Sequence, residues 1–270
     1  MYIKKSILGN ADITNYSSDY GLVMSDVTMS GDAVKGLNIN ASRAKLTNVS
    51  NTGKLNSKTY YATYLNNVSG IKGLEVNSTT ADVKLNGVAL ESGDITVNAT
   101  TFITANDIVN GGNITLTTNR PTAHRDYDGD ITLDNIQANK IDAIANYDIV
   151  ANNLQTTEES SLNGKTIAIA NTNSFKVKAS AADITLDNSS INNSELSATN
   201  DITVQNKSTV DSSILKDAKN ITIKGNGTLV KYSTVNATDK VTVSNTYTIS
   251  QIQLYDKMLK NPYDCYFKMG

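Results

Sequence analysis

The chain has no tryptophan, three phenylalanines, two prolines, one cysteine and one histidine among its 270 residues. Each scarcity removes a class of explanation. The single thiol, Cys265, forbids an intramolecular disulfide framework. The single histidine, His124, leaves no Cys/His cluster for zinc, and no Gly-x-Ser-x-Gly elbow accompanies it as a nucleophile's base. No glycine-rich phosphate loop is present. Acids and bases are scattered and nearly balanced at a net charge of −2. That excludes the clustered basic face of a nucleic-acid binder. No run reaches about 18 apolar residues, so no membrane-spanning helix is expected. Met1-Tyr2-Ile3-Lys4-Lys5 lacks the following apolar run of about 7–15 residues that marks an export signal, so such a signal is expected outside this chain.

What is abundant is asparagine, 34 residues of it, with serine and threonine beside it. These residues carry a refrain. Asp94-Ile95-Thr96-Val97 returns as Asn113-Ile114-Thr115-Leu116, Asp130-Ile131-Thr132-Leu133, Asp183-Ile184-Thr185-Leu186, Asp201-Ile202-Thr203-Val204 and Asn220-Ile221-Thr222-Ile223. The first apolar residues, from Ile95 through Ile149 and Ile167 to Val241, recur every 17 to 20 residues. Leu37, Leu55 and Leu74 extend the series upstream, with offset columns at Leu46, Tyr64 and Val83. A fixed period of this size signals a solenoid, in which each unit buries its apolar face against its neighbours. An apolar content of 39% suits a thin stacked core better than a globular one.

Inside the refrain, Ile131 and Leu133, or Ile184 and Leu186, alternate with an outward threonine. Period two means a strand with one buried face. Asparagine follows at Asn135, Asn171, Asn188, Asn206 and Asn245; it tolerates the left-handed backbone region and reads as a corner. A looser apolar cluster half a period on includes Ile103, Ile141, Phe175, Val177 and Leu196. Two or three short strands per unit pair with their equivalents one unit on. The expectation is an all-β parallel β-helix, or β-solenoid, of about 12 coils of about 18–19 residues. It spans residues 31–249. Residues 1–30 are an N-terminal cap or irregular first coil. Residues 250–270 are a cap or tail, where Ile252, Leu254, Tyr255, Met258 and Leu259 fit a short amphipathic helix or an irregular cap.

The recurrent Gly/Ala-Asp/Asn-Ile-Thr-Leu/Val units resemble the coils of filamentous-haemagglutinin-type bacterial exoproteins. The resemblance covers Leu37 to Asn245 and implies a right-handed β-helix. It further implies a secreted or surface-exposed adhesin, extracellular or at the cell surface, meeting a protein or glycan on a host or neighbouring cell. The Asn-Pro-Asn motif of that family's secretion domain is absent, so the chain resembles either an interior rod segment, whose partner would be the same rod continuing in a longer chain, or a shortened relative.

Three places interrupt the refrain: Tyr60–Tyr64, His124–Asp128 and the C-terminal tail. Tyr60, Tyr61 and Tyr64, with Lys58 nearby, form the best candidate contact surface, because tyrosine joins apolar area to a polar tip. Asp126, Asp128 and Asp130 alternate beside His124 and could offer oxygens to a weak Ca²⁺ site, the one cofactor the sequence suggests. The EF-hand pattern fails there, with Ile131 and Gln137 at its glycine and glutamate positions, and a solvated loop is the plainer reading. A column of acids before the strands, Asp94, Asp130, Asp148, Asp183 and Asp201, reads as a turn ladder bonding backbone N–H groups. Without converging carboxylates, the expected role is a structural or adhesive rod segment, not an enzyme. The alternative is a carbohydrate-active or carbohydrate-binding β-helix of tailspike or lyase type.

Overall fold

The computed structural model describes residues 1–16, 21–29, 36–50, 53–119, 129–173 and 175–244, with the backbone of Thr248–Ser250 and Gln253–Asp256. The described residues are strand, turn and bend, with no helix. The strands pair in parallel and stack as a β-solenoid of about 12 turns. The chain divides into two compact units, the first comprising Met1–Ile149 with Thr156–Glu158, the second Val150–Gln155 with Glu159–Gly270.

The first unit holds two ladders. One runs from Tyr2–Leu8 through Leu22–Met29, Ala44–Ser50, the first half of Thr63–Ser78, Val83–Leu90 and Ile103–Val109 to Ile131–Ala138. The other runs from Ala11–Asn15 through Leu37–Ala41, Gly53–Thr59, the second half of Thr63–Ser78, Ile95–Ala99 and Asn113–Thr118 to Lys140–Ile144. Residues 1–30 thus contain a first coil whose apolar side chains are half-buried or exposed.

The second unit has ladders of the same two kinds. Ile167, Ile184, Ile202, Ile221 and Val241 stack in one, and Val177–Asp187 and Glu195–Gln205 each contribute to both. A third, short sheet joins Ser190–Asn192, Thr209–Asp211, Leu229–Lys231 and Thr248–Ser250. Phe175 bridges onto Ile191 beneath it and is fully buried.

The core is the sum of inward Ile, Leu and Val side chains, each worth about 1.5–3 kcal/mol when fully buried. The corners keep that register. In one ladder Asn48, Asn67, Gly87, Asp107 and Asn135 all have φ between +52° and +61°. In the second unit Asn153, Asn171, Asn188 and Asn206 repeat this at +44° to +54°. One left-handed residue re-aims the strand, so Leu133 before it and Ile136 after it both point inward. Gly87 adopts the same left-handed conformation at φ +61°, which glycine takes without steric cost.

Three sequence expectations change. The refrain is not one column. Ile95 and Ile114 stack beneath Ile141, whereas Ile131 stacks on Ile103. The step from Ile114 to Ile131 lies within a single coil, which runs 28 residues from Asp107 to Asn135. Both ladders carry the same Asp/Asn-Ile-Thr phrase, so the lengthened half-coil imitates a full one. Tyr64 is not an inward column residue, since it aligns with the outward Lys45 and Lys84 while Leu65 fills the core. Finally, Gln253–Asp256 is a strand paired with Thr234–Ala237 instead of a helical turn. Ile252 and Leu254 also fit period two, and an open ladder edge favours a further strand. Residues 257–270, Cys265 among them, lie outside the described residues.

Candidate contact surface

The corner that follows the second ladder in the first unit is built from stacked short loops. Tyr60 N–H donates to Ala41 O at 3.1 Å and Tyr61 N–H to Ser42 O at 2.8 Å. One coil on, Thr79 N–H donates to Thr59 O and Thr80 N–H to Tyr60 O. Threonine hydroxyls repeat the pattern from outside: Thr80 Oγ1 donates to Tyr60 O at 2.5 Å and Thr100 Oγ1 to Thr79 O at 2.5 Å. Ser78 Oγ donates to Tyr61 O. Beneath, Ser57, Thr59 and Thr63 are buried and bond one another through their hydroxyls at 3.0 and 3.2 Å. Buried hydroxyls cost free energy unless paired, and here they are paired.

This scaffold carries the three tyrosines. Tyr60 and Tyr61 meet edge to face, their centroids 4.8 Å apart at 86°, and are 53% and 37% exposed. The Arg43 guanidinium lies 5.2 Å from the Tyr61 ring centre. Tyr64 points its hydroxyl at both oxygens of Asp82, at 3.2 Å each, while Lys84 Nζ sits 5.5 Å above its ring and 3.6 Å from Asp82. Burial first, and then the Asp82 charge, hold the Tyr64 hydroxyl above its usual 10.0, with Arg43 pulling the other way. The structure therefore brings Tyr60 and Tyr61 into one contact and sets Tyr64 on the adjoining face, where Arg43 is the charge that both sides feel.

Lys58, also picked out from sequence, is an exposed residue of Gly53–Thr59, two residues before the corner that begins at Tyr60. It belongs to an open groove of about 460 Å³. Two outward rows line it. One stacks Asp12, Asn38, Asn56 and Glu75; the other Thr14, Asn40, Lys58 and Asn77. Asn56 Nδ2 donates to Asn38 Oδ1 at 2.6 Å, and Asn38 Nδ2 to Asp12 Oδ1 at 2.7 Å. Asn56 Oδ1 is buried and has no hydrogen-bond partner among the described residues. Sequence reasoning missed this groove because neighbours in each row are 18 to 26 residues apart and look like ordinary polar strand positions. Their shared parity within Leu37–Ala41 and Gly53–Thr59 was the available signal.

The acid column bonds backbone as its residue types suggested. Asp94 Oδ1 accepts Asn113 N–H at 2.8 Å, Asp130 Oδ1 accepts Asp148 N–H at 3.1 Å, and Asp183 Oδ1 accepts Asp201 N–H at 3.2 Å. Asp130 is thus engaged in its turn, while His124, Asp126 and Asp128 lie outside the described residues. The second unit's charges pair across coils: Lys178 with Glu159 at 2.8 Å, Lys216 with Glu195 at 2.9 Å, and Lys231 with Asp211 at 3.0 Å. Hydrogen bonds and charge raise both lysines and lower Asp211 from their usual values. These groups are at the surface, where such pairs contribute little.

Comparison with protein-family models, with curated proteins and with solved structures returns no match. The functional reading therefore rests on the residues themselves.

Proposed function

We propose that this chain is a non-catalytic structural and adhesive segment of a bacterial surface or secreted exoprotein of filamentous-haemagglutinin type. In this reading the stacked coils are a stiff spacer. The Arg43, Tyr60, Tyr61 and Tyr64 corner is the surface that meets a neighbouring cell. The observation that supports it most is the contrast between refrain and interruption. The refrain's slots are consumed by core, corner and turn bonds, whereas Tyr60 and Tyr61 stay exposed on a corner fixed by stacked backbone bonds. Aromatic side chains held rigid and solvent-facing lose little entropy on contact.

A carbohydrate-processing enzyme is the second reading, favoured by the groove's two carboxylates. Their spacing argues against it. Asp12 and Glu75 are three coils apart, about 14 Å at about 4.8 Å per coil. Paired carboxylates that cleave glycosidic bonds stand about 5–9.5 Å apart.

Two measurements on the producing cells test the proposal. Antibody to the chain should label intact cells, and deleting its reading frame should reduce adherence. Label confined to lysed cells, or turnover of any polysaccharide by the purified chain, would overturn it.

A further inference from the structure

We infer that Asn226 is a site of spontaneous covalent modification, where the side-chain amide is converted to aspartate and isoaspartate while the chain stays folded.

The chemistry needs an asparagine followed by a residue whose backbone nitrogen is unshielded, and glycine shields it least. Four steps in the chain meet that condition: Asn86-Gly87, Asn110-Gly111, Asn163-Gly164 and Asn226-Gly227. The glycine nitrogen gives up its proton to hydroxide and attacks the asparagine Cγ. A C–N bond forms, ammonia leaves with a proton taken from water, and a five-membered imide remains. Water then adds to one of the two imide carbonyls. Opening on one side gives aspartate, and on the other isoaspartate, whose backbone runs through Cβ. The net change is amide plus water to acid plus ammonia, with no oxidant or reductant. What the reaction requires of the fold is that Cγ be free to reach the next nitrogen.

The fold withholds that freedom at three of the four steps. Asn110 is 3% exposed; its Oδ1 accepts Gly112 N–H at 3.0 Å and its Nδ2 donates to Asn113 O at 3.2 Å. Asn86 lies within Val83–Leu90, which is paired with a coil on either side, and its Nδ2 donates to Asn66 Oδ1 at 2.7 Å. After Asn163, the nitrogen that would attack is already engaged, because Gly164 N–H donates to Ser180 O at 3.2 Å.

Asn226 differs. The corner that leads into the third sheet grows along the second unit. Leu186 and Ser190 are separated by three residues, Val204 and Thr209 by four, and Ile223 and Leu229 by five, although these flanking residues are register partners. The extra length forms a turn. Thr228 N–H donates to Gly225 O at 3.2 Å, which makes Asn226 and Gly227 the central residues, and Asn226 is exposed. Neither the Asn226 amide nor Gly227 N–H has a hydrogen-bond partner among the described residues. Gly225 and Gly227 both hold positive φ, +96° and +82°, so Asn226 is flanked on each side by the residue type with the widest backbone freedom. The product is a new carboxylate near Lys207, whose stem lies against Gly227.

The test follows the four steps in the whole chain during storage in mildly alkaline buffer, by proteolytic mapping and mass spectrometry of the peptides that carry them. Asn226 should convert first, roughly tenfold faster than the other three, the rate equivalent of about 1.4 kcal/mol. That is the size of the hydrogen bond each of the others must first break. In urea the four rates should converge. Methylation of the stored, folded chain by an isoaspartyl methyltransferase should rise with time and fall several-fold in Asn226→Gln, which should melt as wild type does. Conversion at Asn226 no faster than at the other three overturns the assignment. So does a lead for Asn226 that persists unchanged in urea, which would place its cause in local sequence, or methylation undiminished in Asn226→Gln.

Discussion

At Asn188 the backbone holds φ at +44°, and the side chain donates to Asn171 Oδ1 at 2.7 Å in the coil before. One residue type thus supplies both the left-handed conformation and a bond to its neighbour. Asn188→Gly should be nearly neutral, and Asn188→Val should lose about 1–2 kcal/mol, because a β-branched residue resists that region. Urea denaturation measures both. Asn135, Asn171, Asn188 and Asn206 were legible as corners because the refrain framed them. Asn48, Asn67 and Asp107 were not, since the residues just before them, Lys45-Leu46-Thr47, Tyr64-Leu65-Asn66 and Thr104-Ala105-Asn106, lack the Ile-Thr-Leu phrase. Tyr64 supplies a pH prediction. Its folded hydroxyl holds its proton more tightly than in the unfolded chain, so its stabilisation is complete below pH 10.0 and is lost as pH rises through the raised folded value. The fall in melting temperature above pH 10.0 should therefore be shallower in Tyr64→Phe.

The elements are held by bonds the sequence concealed. In the second unit a buried serine follows Ser190–Asn192, Thr209–Asp211 and Leu229–Lys231, and each hydroxyl serves the coil before it. Val177 N–H donates to Ser194 Oγ at 2.9 Å, Ser194 N–H to Ser213 Oγ at 3.0 Å, and Ser213 N–H to Ser233 Oγ at 3.1 Å. Each hydroxyl in turn donates to the carbonyl two residues before it. Ser213→Ala leaves the Ser194 N–H buried and unpaired, a cost of about 1–3 kcal/mol, measurable as a lower denaturation midpoint. Serine is so common here that a column of three does not announce itself, and only the shared 19- and 20-residue steps mark it. Strand alternation was legible because burial enforces parity. The ladder assignment was not, because a long half-coil copied the period. Cysteine cross-linking separates the two pairings. With Cys265→Ser as background, Thr104→Cys with Thr132→Cys should oxidise to a disulfide, since the two positions are register partners. Thr115→Cys with Thr132→Cys, the pairing a single column would require, should not.

Across the whole molecule the division of labour is uneven. Parallel stacking, about 12 turns and an all-β chain were readable from the period, because a repeated apolar slot has few structural solutions. The candidate site was half readable. Tyrosines in a broken refrain signalled a surface, while the groove beside Tyr60 exists only once Asn38, Asn56 and Glu75 are stacked by folding. In the function proposed above, the refrain is architecture and the Tyr60–Tyr61 corner is the working surface. Adherence of beads coated with the purified chain to cell layers tests it most directly, comparing wild type, the double variant Tyr60→Ala/Tyr61→Ala, and the refrain variant Thr203→Ser/Thr222→Ser. Beads with the corner variant should fail to adhere while those with the refrain variant adhere as wild type does, all three proteins melting alike. Undiminished adherence of the corner variant, or loss in the refrain variant alone, would contradict it.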